Sequence, residues 1–114
     1  MQKFFLGIVF VIFSSNVAWA QNPKWQAWEA EADTLLNKQD YIGASKLYTK
    51  IIKDSKLNDQ SVYGAVYKRA ICFYSIGEFE NALKDLEVFI PLYPGSPQAY
   101  LLKAFIYREL GDSD

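Results

Sequence analysis

The sequence predicts an all-α chain of antiparallel helix pairs stacked side by side. Three observations carry that prediction. The stretch Arg69–Pro94 reads as two short helices broken at Gly77, the first with Val66, Ala70 and Phe73 on one face. The second carries Phe79, Ala82, Leu83, Leu86, Phe89 and Ile90, and spacings of three and four place these on one stripe. The same pattern then recurs. At an offset of 38 residues, Trp28, Ala32, Leu35, Tyr41, Ala44, Tyr48 and Ile51 fall under Val66, Ala70, Phe73, Phe79, Ala82, Leu86 and Phe89. At an offset of 34 in the other direction, Tyr100, Ala104, Tyr107 and Gly111 fall over Val66, Ala70, Phe73 and Gly77. Finally, Gly77 admits the left-handed conformation that ends a helix and turns the chain back.

Each element has a local reason. Trp25–Lys38 is the first expected helix, with Trp28, Ala32 and Leu35 as its buried stripe. Asp40 caps a second helix running from Tyr41 to about Asp54. The polar run of residues 53–61 is a connection, and Asp59 or Ser61 supplies the cap of the third helix, which ends near Ile76. The fourth spans Glu78 to about Ile90 and is stopped by Pro91, Pro94 and Gly95. Ser96-Pro97 opens the fifth, with Ser as cap and Pro at the first helical position, and that helix reaches Leu110.

These slots resemble the tetratricopeptide repeat (TPR): a bulky residue, a small one, an aromatic, then Ala, an aromatic and Pro. The resemblance covers about residues 25–112, with repeats at 25–58 and 63–96 and a partial one at 97–114. It implies a right-handed α-solenoid of about two and a half repeats from five helices. Glu31, Arg69 and Lys103 stand where the pattern has a large apolar residue. Lys56 replaces the usual Pro, and four extra residues within 53–61 predict a longer connection between the first two repeats.

Residues 1–20 have a different character. Lys3 is followed by an apolar run from Phe4 to Phe13, too short to span a membrane comfortably, and then by Ala18-Trp19-Ala20. This is the pattern of a secretory signal peptide cleaved after Ala20, with a retained anchor as the alternative. It predicts a mature chain of residues 21–114, exported to a periplasm or secreted, with no stable membrane insertion after cleavage. Lys3 is the only charged residue in the leader, so the remainder has 11 basic and 13 acidic residues. That balance argues against a nucleic-acid binder.

The chemistry-bearing residues are few. There is no His, hence no imidazole base and no common zinc site. The single Cys72 lies between Ile71 and Phe73 on a helix and reads as buried, with a reactive thiol as the alternative. Glu29 and Asp33, four apart, read as a solvated pair before a catalytic one. No catalytic residue, cofactor or metal is expected, and the function expected is binding.

The resemblance implies that the first helix of each pair lines a concave face. On this sequence that face carries Gln26, Glu29 and Asp33, then Tyr67, Ile71 and Tyr74, then Gln98, Leu101, Phe105 and Arg108. An aromatic and aliphatic floor with an acidic end suits a protein or peptide partner with apolar anchors and a basic residue near Glu29 and Asp33. Those two carboxylates also exclude the carboxylate-gripping role of some family members. The last helix is apolar nearly all round. Leu102, Ile106 and Leu110 form one stripe, and Leu101 and Phe105 another. The first is expected to serve a homo-oligomer interface, giving an alternative reading as a structural subunit.

Overall fold

The computed structural model describes residues 22–56 and 60–111. Five α-helices follow one another: α1 Pro23–Asn37, α2 Tyr41–Ser55, α3 Tyr63–Ser75, α4 Phe79–Phe89 and α5 Pro97–Glu109, with a 3-10 turn at Gln60–Val62 before α3. There are no strands among the described residues. Each helix packs on the next in sequence, and α5 lies against both α4 and α3. The architecture is the expected all-α stack of helix pairs.

The start signals expected at Asp40 and Ser96 are present, and α1 adds one at Asn22. The Asn22 side chain accepts from the Trp25 N–H at 3.3 Å with Pro23 in the first turn, so α1 starts two residues earlier than expected. Asp40 accepts from the Gly43 N–H at 3.0 Å, and Ser96 from the Ala99 N–H at 3.4 Å. The expected cap Asp59 and the side chain of Ser61 lie outside the described residues, as does the leader, residues 1–20. Val62 precedes α3 without a side-chain cap.

Both hairpin turns use one device. After α3, Gly77 sits at φ 83°, the Glu78 N–H donates to Phe73 O at 2.8 Å and the Gly77 N–H to Tyr74 O at 3.1 Å. These paired bonds satisfy carbonyls that the helix end would leave orphaned. After α1, Gln39 takes the glycine's place at φ 65°, with Asp40 N–H to Leu35 O at 2.8 Å and Gln39 N–H to Leu36 O at 3.0 Å.

Two apolar clusters result. One joins Ala32, Ala44, Tyr48, Ile51, Val62, Val66 and Cys72. The other joins Ala70, Ala82, Leu86, Ala99, Leu102 and Ile106. The small slots Ala32, Ala44, Ala70 and Ala82 are fully buried, which lets paired helices approach closely.

Three expectations need correction. Trp28 and Leu35 are only half-buried. Both pack against the first apolar cluster, and the Trp28 ring also lies under Lys50 Nζ, 4.7 Å from its centroid, and near Lys24 Nζ at 5.5 Å. Tyr48, 0% exposed, is the largest fully buried side chain instead. Next, the third-repeat slots Tyr100 and Ala104 are exposed, because the buried face of α5 is Ala99, Leu102 and Ile106. It follows that Leu102 and Ile106 are not an oligomer interface. They fill the chain's own second cluster against α3 and α4, and of that stripe only Leu110 is exposed.

Candidate functional site

Helices α3 and α5 present one row of side chains each to a shared concavity of about 230 Å³. Tyr67 and Ile71 are one turn apart on α3, and Leu101 and Phe105 one turn apart on α5. All four line the concavity with Gln98 and the edge of Leu102. Leu101 is 54% exposed, an apolar side chain held at the mouth without cover.

The aromatic floor is braced from below. Tyr67 leans on Phe89 of α4 with ring centroids 5.1 Å apart, and Phe89 stacks on Tyr93 at 4.9 Å. Tyr74 sits between Phe79 at 5.9 Å and Phe105 at 6.5 Å. The Arg108 guanidinium lies over the Phe105 ring at 5.2 Å and marks the far end. Rings held on several sides lose little freedom when a partner covers them, which favours their use as anchors. Burial also pushes the Tyr67 hydroxyl above its ordinary pKa, so it stays a neutral donor.

The acidic end differs from expectation. Lys68 Nζ lies 3.4 Å from Glu29 Oε2, and 3.0 and 3.1 Å from the two oxygens of Asp33. Asp33 also accepts from the buried Tyr48 hydroxyl. Glu29 and Asp33 are therefore engaged within the chain, tying α1 to α3 and α2, and are not a free anionic pocket for a partner's cation. The structure brings together Tyr67, Ile71, Tyr74, Leu101, Phe105 and Arg108, and sets Glu29 and Asp33 beside Lys68 instead.

Lys68 had been missed, although a signal existed. It lies 35 and 39 residues from Asp33 and Glu29, one repeat away on the neighbouring first helix. Phe89 and Tyr93 were missed as braces because they belong to α4 and the turn after it.

Cys72 is fully buried, and burial raises its thiol to about 11. Among the described residues no cluster of three or more His, Cys, Asp or Glu could hold a metal ion, and no helix is long and apolar enough to cross a membrane. What the groove offers chemically is apolar surface, two tyrosine hydroxyls and one guanidinium.

No profile of a known protein family matches the chain. A curated protein of Cryptococcus neoformans var. grubii, described as a tetratricopeptide repeat and J domain-containing co-chaperone, is 33% identical over 81 residues. That alignment takes in 71% of this chain and 15% of the relative, so the chain spans about 15% of the relative's length. With the helix-pair packing, this likeness supports TPR-like helical repeats in this chain.

Proposed function

We propose that this protein is a non-catalytic scaffold that binds a protein or peptide segment in the groove between α3 and α5. The observation that carries the reading is the convergence of Tyr67, Ile71, Leu101 and Phe105 on one open concavity, with Leu101 uncovered. An apolar, aromatic-floored groove of this kind takes side chains of an extended or helical segment. The name of the fungal relative, a co-chaperone with the same kind of repeat, favours protein partners over small molecules.

The scaffold acts outside the cytosol, in a periplasm or as a secreted protein. Support for this comes from the leader pattern of Lys3, Phe4–Phe13 and Ala18-Trp19-Ala20. Intact mass of the protein from its native host tests it: a chain starting at Gln21 agrees, and one retaining Met1 contradicts it.

Panning a random peptide display library on the protein tests the groove. Selected peptides are expected to carry spaced apolar anchors and to lose at least about tenfold in affinity against Phe105→Ala or Leu101→Asp. Peptides that bind both variants as tightly as the wild type would refute the groove.

A further inference from the structure

Two runs of rings lead into the groove between α3 and α5. Tyr93, Phe89 and Tyr67 follow one another at 4.9 and 5.1 Å, and Phe79, Tyr74 and Phe105 at 5.9 and 6.5 Å. Tyr93 is 41% exposed, so the first run carries aromatic surface out of the concavity toward the turn after α4. The walls are therefore flat ring faces and edges more than aliphatic knobs.

Above those rings stand hydrogen-bond donors with nothing to bond. The hydroxyls of Tyr67 and Tyr74 make no hydrogen bond among the described residues. The Gln98 side chain only accepts, from the Ser96 hydroxyl at 3.5 Å, which leaves its amide N–H groups free. Burial keeps the Tyr67 hydroxyl protonated. The main chain of α3 and α5 is bonded within each helix and offers the groove no acceptors.

This balance discriminates among the segments that could lie there. A helix engages its carbonyls in its own ladder, so covering Tyr67 and Tyr74 with its apolar stripe leaves their hydroxyls without acceptors, which is unfavourable. An ordinary extended strand brings its own N–H groups, and the helical walls have no carbonyls for them. A proline-rich segment has the complementary set. Its carbonyls are unengaged, its prolines carry no N–H, and its rings suit aromatic faces. It is also ordered before it binds, so it loses little freedom on docking.

We propose that the groove takes a proline-rich segment of a partner protein in the polyproline II conformation, its rings on the aromatic walls and its carbonyls accepting from Tyr67, Tyr74 and Gln98. This rests on the groove being the binding surface and narrows what occupies it.

Fluorescently labelled oligoproline, titrated with the purified protein, is expected to give saturable anisotropy that Phe105→Ala abolishes. Tyr67→Phe removes only a hydroxyl without a partner in the free protein. It should leave the thermal unfolding curve unchanged and weaken oligoproline about fivefold. A helix-stapled peptide with an apolar leucine stripe should bind at least about tenfold more weakly than oligoproline. No saturable oligoproline binding, or binding indifferent to Tyr67→Phe and Phe105→Ala, overturns the proposal. So does a stapled helix that binds more tightly than oligoproline. The groove is judged separately by library-selected peptides. Peptides without proline that lose affinity against Phe105→Ala overturn the proline-rich segment and leave the groove standing, whereas peptides indifferent to Phe105→Ala overturn both.

Discussion

Arg69 grips Asp85 with two parallel hydrogen bonds, Nε to Oδ2 at 2.9 Å and Nη2 to Oδ1 at 2.7 Å, while its Nη1 donates to Thr49 Oγ1 at 3.1 Å. One guanidinium thus joins α2, α3 and α4. The Asp85 side chain is 6% exposed and that of Arg69 19%. Arg suits this place because its planar fork matches a carboxylate in two bonds. Removing one partner strands the other in the core. Arg69→Met is expected to destabilise by about 3–5 kcal/mol, and Arg69→Met with Asp85→Leu by clearly less. Urea denaturation of the two variants checks this; a double variant no more stable than the single one would contradict it.

Gln39 holds a backbone conformation that costs a side-chain-bearing residue about 1 kcal/mol. Gly77 makes the same turn without that cost. Gln39→Gly should therefore raise the urea midpoint, with the slope unchanged, by the equivalent of about 1 kcal/mol. A lowered midpoint would mean that the Gln39 side chain makes a compensating contact.

The Cys72 thiol lies in the first apolar cluster, and burial lifts its pKa to about 11. The shift disfavours thiolate, so at pH 8 the folded protein holds almost only the thiol form. A disulfide reagent at that pH should leave Cys72 unmodified in the native state and label it fully in denaturant. Rapid labelling without denaturant would place the thiol at the surface.

Lys68 leaves the Glu29–Asp33 end with a net charge of one negative unit instead of two. All three side chains are about one-third exposed or more, so solvent screens the cluster. Lys68→Met is accordingly expected to cost less than about 1 kcal/mol in stability. It should also strengthen binding of an Arg-rich peptide at low salt, an effect that disappears at high ionic strength. Equal binding by wild type and variant would show that this end does not face the groove's occupant.

Much of this architecture was legible in the sequence. Five helices follow from the recurring stripes and from the punctuation at Asp40, Gly77 and Ser96-Pro97. The groove residues Tyr67, Ile71, Leu101 and Phe105 are placed together by the resemblance to the repeat, whose first helices line one concave face. What was not legible has physical reasons. α5 is apolar on every side, so its periodicity could not say that Leu102 and Ile106 face inward while Tyr100 and Ala104 face out. Trp28 packs on the first apolar cluster as its stripe predicts, but residue type does not reveal that Lys50 and Lys24 also approach its ring and that it stays half-buried. Arg69 read as a departure from the apolar pattern, although its carboxylate partner is Asp85, 16 residues on. Long polar side chains reach sideways between helices, and a one-dimensional stripe does not record that reach.

The central claim is that the α3–α5 groove is the surface that binds partners. Its most direct test is to titrate a display-selected peptide into isotope-labelled protein and follow the amide spectrum residue by residue. The account predicts that the largest shifts fall on Tyr67, Ile71, Leu101 and Phe105, with α1 little changed. Shifts clustered on α1 and α2, with those four amides unmoved, would contradict it.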